Sequence, residues 1–209
     1  MEPHVPRSEV ARRRAGGIAA LLVLVTACSS GSATTRPTPS PATLIPGVVT
    51  VNGLSHEHVT HPVTYPTHPP MGGPHWPPSA FGVYGWQACA VYTEPVVDEF
   101  AVHSLEHGAV WITYLPSLSS PGVAALDLLA RIRPDKVLVS PYPGEKSPVT
   151  ITAWGAQLTV DDPHDPRLVE FVRQYAGGAQ GGEPRADCAH GPTVAEAMAA
   201  QARAAAARS

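Results

Sequence analysis

Cysteine is scarce in this sequence, and its few cysteines lie far apart. Among 209 residues there are only Cys28, Cys89 and Cys188, so no C-x-x-C pair exists and a redox motif of that type is excluded. The sequence also lacks a G-x-S-x-G nucleophile elbow and a phosphate-binding glycine loop. These absences argue against a serine hydrolase of the elbow type and against a P-loop nucleotide-binding protein.

Positive charge is also in short supply. From Cys28 onward the chain carries 10 Lys and Arg residues against 15 Asp and Glu residues, which gives a formal charge of −5. No cluster of basic residues stands out in this part of the chain. Because nucleic acids are bound mainly through phosphate contacts to Lys and Arg, we expect no nucleic-acid partner.

No apolar run is long enough to span a membrane. The run GGIAALLVLVTA covers 12 residues, 16–27, whereas a spanning helix needs about 20. It follows a basic segment with Arg7 and Arg12–Arg14 and ends at VTAC, which predicts a lipoprotein signal peptide over 1–27 and lipidation of Cys28. The alternative is an ordinary cleaved signal followed by an incidental cysteine. We therefore expect a membrane anchor, with the protein in the cell envelope on the outer face of the cytoplasmic membrane.

Composition divides the rest of the chain into three parts. Residues 28–47 are rich in Ser, Thr and Pro and predict a disordered tether, because they contain too few large apolar residues to form a core. Residues 48–190 have the length of a single globular domain, and 191–209 predict a peripheral Ala-rich helix. In an oxidising compartment Cys89 and Cys188 predict a disulfide; the rival reading makes one thiol a metal ligand.

The second half of the domain predicts an α+β fold. Strands are expected over 109–115, 136–142 and 148–154, with QLTV extending the sheet. Helices are expected after the caps Ser120 and Asp165, each followed by proline. The expected architecture is a small mixed β-sheet with two helices on one face, in which the short PGEKS link makes 136–142 and 148–154 an antiparallel pair. A Pro/Gly/His-rich irregular region precedes the sheet.

Histidines are concentrated in one part of the chain and suggest a metal site. Seven of the ten histidines fall between His56 and His107. Imidazole is a common ligand of copper and zinc, so either ion is a possible cofactor. The stretch HSLEH, 103–107, places its histidines one turn apart if it is helical, and too far apart for joint chelation if it is extended. It also matches the H-x-x-E-H pattern of inverted zincins, with Glu170 as a distant third ligand.

Several stretches together resemble one bacterial family. HVTHPVTYPTHPPMGGPH, YTEPV, AVHSLEHGAVWITY, VLVSPYPG and AWGAQL are similar to the family known as domain of unknown function 3105, common among actinobacterial envelope proteins. The similarity extends from about His58 to Cys188. It implies an exported or anchored domain and supplies no established activity. The metal-ligand candidates at motif positions are His58, His75, His103, Glu106 and His107. The resemblance leaves His56, His61 and His68 as expected solvent residues.

Three functions fit these observations. The first is a lipid-anchored extracytoplasmic domain that binds copper or zinc, with no catalytic residue assigned. The second is a metal-free envelope protein that recognises a protein or wall component through an aromatic, Pro-rich loop. The third is a zinc hydrolase that uses HSLEH. The aromatic residues of the second alternative are Tyr65, Trp76, Trp86 and Tyr92.

Overall fold

The computed structural model of the protein describes residues 44–209. The predicted signal peptide 1–27, the lipidation of Cys28 and most of the tether 28–47 lie outside the described residues. Within 44–209, no helix is both long enough and apolar enough to cross a membrane.

A five-stranded mixed sheet forms the centre of the domain. Its strands are β1 (Val49–Thr50), β4 (Val110–Tyr114), β5 (Val137–Pro141), β6 (Val149–Ala153) and β7 (Ala156–Val160). Their order across the sheet is β1-β7-β6-β4-β5, and only the β4–β5 pair is parallel. A separate hairpin consists of β2 (Ser79–Ala80) and β3 (Val83–Tyr84).

Four α-helices accompany the sheet: α1 (Asp98–Glu106), α2 (Ser120–Ala130), α3 (Pro166–Tyr175) and α4 (Val194–Ala206). A short 3-10 helix spans Ala179–Gly181. Leu126 and Leu129 of α2 and Phe171 of α3 pack in one cluster with Ile112 and Val139 of the sheet. The predicted α+β class and mixed sheet are confirmed.

One strand pairing differs from the expectation. β6 pairs antiparallel with β4 and not with its chain neighbour β5. The outer edge of β5 is already occupied, because Val139 accepts a backbone hydrogen bond from Tyr92 and donates one to Ala90. An edge strand with its N–H and C=O groups paired leaves no place for another strand. β6 therefore completes the sheet on the far side of β4.

The opposite face of the sheet is covered by α1 and the Pro/Gly/His-rich region. Ala101, Val102 and Leu105 of α1 pack with Trp111 of β4 and Leu138 of β5. Every residue of α1 from Glu99 to Glu106 is buried. The helix therefore lies between the sheet and the irregular region, and most of its polar side chains are shielded from bulk water.

The C-terminal helix α4 is packed more closely than a peripheral helix. Ala197, Ala200 and Ala204 are buried and form a cluster with Trp76 and Phe100. Alanines spaced i, i+3 and i+7 share one face, and their small side chains let the helix approach the aromatic rings closely. A stripe of alanines thus forms the buried face of this helix, as larger apolar residues do in other helices.

Cys89 and Cys188 are joined in a disulfide, with their Cα atoms 5.3 Å apart. A backbone hydrogen bond of 2.6 Å from Cys89 N to Cys188 O runs beside it. The structure therefore agrees with the disulfide reading, in which neither thiol serves as a metal ligand.

Candidate metal centre

The C-terminal turn of α1 supplies two polar side chains on one face. His103 and Glu106 are three residues apart, so they lie on the same side of the helix. The helix ends where Gly108 adopts a φ of +77°, a conformation that favours glycine. A Cβ atom at Gly108 would also lie 3.0 Å from the carbonyl oxygen of Gly178. Glycine at 108 therefore fixes where this turn stops.

Two more histidines come from the Pro/Gly/His-rich region. His58 and His75 form an isolated parallel bridge, in which Val59 N donates to His75 O at 2.8 Å and His75 N donates to Glu57 O at 3.0 Å. The bridge places the two imidazoles side by side, with ring centroids 4.9 Å apart. Gly72 precedes His75 with a φ of +130°, and a Cβ atom there would come within 3.0 Å of the Trp154 ring.

These two pairs of residues meet in one group. His58, His75, His103 and Glu106 each offer one donor atom, and the four atoms lie within 4.8 Å of one another. Glu106 Oε2 is 3.0 Å from His75 Nε2 and 3.8 Å from His58 Nε2. Ligands around a tetrahedral zinc ion are separated by about 3.4 Å, given metal–ligand bonds near 2.0–2.1 Å. The donor atoms are therefore at most about 1.4 Å farther apart than the ligands of a bound zinc ion, so small side-chain movements would bring them to ligating distance.

Backbone carbonyl groups fix the tautomers of the two buried imidazoles. His75 Nδ1 lies 2.8 Å from Gly73 O, and His103 Nδ1 lies 2.6 Å from Trp76 O. Because a carbonyl oxygen can only accept, both Nδ1 atoms carry hydrogen and both Nε2 atoms face the group. Such an Nδ1–H···O=C bond is the usual way in which a metal-binding histidine is oriented.

The contact between His75 and Glu106 requires a proton or a metal ion between the two atoms. An unprotonated Nε2 and an ionised carboxylate oxygen both present lone pairs, which repel each other at 3.0 Å. A proton on Nε2 or a metal ion between the two atoms removes that repulsion. The geometry therefore suits a cation at this point.

Burial and neighbouring charges keep the group ready to bind a cation. Burial, together with the neighbouring His107 and His75, lowers the pKa of His103 to about 3. Burial alone would raise the pKa of Glu106, but hydrogen bonds with His75 and His56 outweigh burial and lower the pKa to about 2. At neutral pH the group therefore contains a neutral imidazole at His103 and an ionised carboxylate at Glu106.

His56 contacts the group although it was expected to be a solvent residue. Its Nδ1 atom lies 2.5 Å from Glu106 Oε1, and its ring stacks on Trp154 with centroids 4.4 Å apart. The sequence did carry a signal for this position. In H-E-H, 56–58, alternate residues of an extended segment point to the same side, so His56 and His58 face one way together.

His107 lies next to the group but outside it. Its ring centroid is 4.6 Å from that of His103, while its Nδ1 atom donates to Asp187 O at 2.6 Å. Its Nε2 atom is 3.8 Å from the half-exposed carboxylate of Glu183. In an inverted zincin both histidines of H-x-x-E-H bind the metal. Here Glu106 takes a place in the group instead of His107.

The remaining candidates lie away from the group. Glu170 is exposed on α3. His68 is exposed and contacts the hydroxyl of Tyr142 at 3.2 Å, and His61 is partly buried. The structure brings neither histidine into the four-residue group.

The aromatic residues proposed to recognise a protein or wall component are largely buried or half-buried. Tyr65 and Trp76 are buried, and the hydroxyl of Tyr65 donates to Pro74 O at 2.6 Å. Trp86 is half-buried, and its ring lies beside the rings of His103 and His107. The four aromatic rings do not form one exposed surface, so the loop offers little area to a protein or wall component.

Comparison with known proteins gives one match. The family model described as "Protein of unknown function (DUF3105)" matches residues 56–190, more than half of the chain. The matched range contains all four residues of the His/Glu group and both disulfide cysteines. No curated protein and no solved structure proved similar to the chain.

Proposed function

We propose that this chain, which belongs to the DUF3105 family, binds one divalent transition metal ion through His58, His75, His103 and Glu106. Its role would be to sequester or deliver that ion. The observation that supports the proposal most strongly is the 3.0 Å approach of His75 Nε2 to Glu106 Oε2 within a four-donor group. Either a proton or a metal ion between the two atoms relieves their repulsion, and His58 and His103 offer the two remaining donor atoms.

The donor set favours copper(II) or zinc(II). Three imidazoles and one carboxylate are borderline and hard ligands, which suit divalent copper and zinc. Copper(I) prefers thiolate and thioether sulfur, and neither cysteine of the disulfide can supply a thiolate. The four-donor group contains no sulfur atom.

The number of protein ligands favours binding over hydrolysis. Structural zinc sites have four protein ligands, whereas catalytic sites have three and keep a position open for water. Here Glu106 is one of the four donors, and its Oε1 atom accepts a hydrogen bond from His56, so the carboxylate is not held apart as a general base. We therefore propose metal binding in preference to a zinc hydrolase.

Metal binding can be tested with the full chain purified without a histidine tag. Zinc(II) and copper(II) affinities would be measured by titration against a chelator of known affinity, and bound metal by elemental analysis. We expect a stoichiometry of one. His75→Ala and His103→Ala each remove one ligand and should lower the affinity at least 100-fold.

His61→Ala is the matched control, because it removes a histidine outside the group. Its affinity should equal that of the wild-type protein. Equal and small effects of all three substitutions, or a wild-type protein that binds neither ion, would contradict the proposal.

We also propose that the protein is a lipoprotein of the cell envelope, anchored to the membrane through Cys28. This proposal rests on the VTAC junction and on the Ser/Thr/Pro-rich segment that follows it. Two acyl chains on one cysteine suffice for stable anchoring. Cys28→Ala should move the protein from the membrane fraction to the soluble extracytoplasmic fraction. Unchanged membrane association would refute the anchor.

A further inference from the structure

His56 lies at the outer side of the His/Glu group, in contact with a carboxylate oxygen that the group does not use. Glu106 Oε2 faces His75 and His58, while Glu106 Oε1 is 2.5 Å from His56 Nδ1. An ionised carboxylate accepts, so His56 Nδ1 donates and keeps its hydrogen. The two oxygens of Glu106 are therefore held from opposite sides.

The ring of His56 is itself held in place. It stacks on the ring of Trp154, with an interplanar angle of 18°. Gly182 lies close by, since a Cβ atom there would be 3.4 Å from His56 Cε1. Gly182 also has a φ of +94°, which favours glycine. The imidazole is therefore an oriented group and not a free surface side chain.

Exposure within the site falls steeply from outside to inside. The side chains of His56 and His58 are 48% and 39% exposed, whereas that of His75 is 0% exposed. His103 is 1% exposed as a residue. An ion from solvent must therefore meet His56 and His58 before it reaches the two inner imidazoles.

We infer that His56 is a positioning residue of the metal site, which holds Glu106 in its ligating orientation and forms the entrance together with His58. This inference rests on the proposed metal binding and adds a residue that is not one of the four ligands. Its Nδ1–H bond to Oε1 leaves Oε2 as the donor for the ion. Partners that hydrogen-bond a ligating carboxylate commonly change metal affinity 10- to 100-fold.

The inference predicts different results for two substitutions. His56→Ala removes both the hydrogen bond to Glu106 and the imidazole, so the dissociation constant for zinc(II) should rise about 10- to 100-fold. His56→Gln retains an N–H donor that can reach Glu106, so most of the affinity should return. Both variants lack the imidazole at the entrance, so both should bind copper(II) more slowly than wild type.

The experiment measures the equilibrium and the rate separately, with the untagged full chain. Zinc(II) affinity would come from chelator competition, and the rate of copper(II) binding from stopped-flow quenching of tryptophan fluorescence, since Trp154 lies beside His56. His61→Ala is the control for loss of a histidine. Thermal unfolding without metal would be measured for every variant, and affinities would be compared at a temperature at which all variants are folded.

The possible failures are distinguishable. A wild-type protein that binds no metal refutes the proposed function itself. A wild-type protein that binds metal, with His56→Ala unchanged in affinity, refutes only the positioning role. Equal losses in His56→Ala and His56→Gln also refute that role, because the retained donor would then have no effect. Wild-type binding rates in both variants refute the entrance role.

Discussion

Glu145 is a buried acid outside the metal site whose protonation should be visible in the stability of the protein. One carboxylate oxygen accepts from Thr113 Oγ1 at 3.2 Å, while the other is buried without a hydrogen-bond partner among the described residues. Burial raises the pKa of Glu145 to about 7, and the nearby hydroxyls of Thr150 and Thr113 offset only part of the rise.

The sign of the resulting pH dependence follows from proton binding. Between an unfolded pKa near 4.5 and a folded pKa near 7, the folded protein binds a proton that the unfolded chain has lost. The free energy of unfolding should therefore fall as pH rises through this window, by up to about 3 kcal/mol. Glu145→Gln cannot ionise, so its urea-unfolding free energy should change less between pH 5 and pH 8.

A glutamate on the surface provides the control for this prediction. Glu170→Gln, on the exposed side of α3, makes the same substitution at a solvent-exposed glutamate and should keep the wild-type pH dependence. Burial also raises the pKa of Asp98 to about 6. In both variants Asp98 therefore also makes the free energy of unfolding fall as pH rises. A Glu145→Gln protein with the full wild-type slope would show that this carboxyl group is ionised in the folded state.

At the scale of elements, the sequence predicted what depends on neighbouring residues. The strands β4 and β6 are short runs rich in β-branched residues, and α3 has a cap, Asp165, and an apolar stripe within a few residues. Such patterns involve only neighbouring residues, so they can be recognised without knowledge of the tertiary contacts. The predicted pairing of β6 with β5 was wrong, because it depends on which edge of β5 is free. Residues 90–92, which are distant in the sequence, occupy that edge.

The same distinction applies to the elements of the metal site. HSLEH and GGPH were recognisable as candidates, but their meeting depends on the bridge between His58 and His75. It also depends on the glycine segment that follows α3, where a Cβ atom at Gly181 would be 2.4 Å from Glu106 O. Contacts between distant segments leave no periodic pattern, so the sequence could propose ligands without showing that they converge. The contact of His56 with Glu106 belongs to this class.

At the scale of the whole molecule, one covalent bond connects the segment beside the edge of β5 to the C-terminal tail. The disulfide joins Cys89, which precedes the segment bound to the edge of β5, to Cys188 in the C-terminal tail. The tail also supports the metal site from outside, since Asp187 O accepts from His107 and Glu183 N donates to Glu106 O. The sheet edge, the tail and the C-terminal end of α1 are therefore linked.

Loss of the disulfide should destabilise the domain more than it disturbs the metal site. The two cysteines are 99 residues apart, and closing a loop of about 100 residues restricts the unfolded chain by up to about 4.7 kcal/mol. Cys89→Ser combined with Cys188→Ser should therefore lower the urea midpoint clearly, and a reducing agent should lower the wild-type midpoint likewise without affecting the double variant.

Cys28→Ala is the matched control and should unfold like wild type. None of the four donor side chains lies in the tail, so the double variant should retain most of its zinc(II) affinity while folded. An unchanged midpoint would mean that packing of the tail alone holds these segments together.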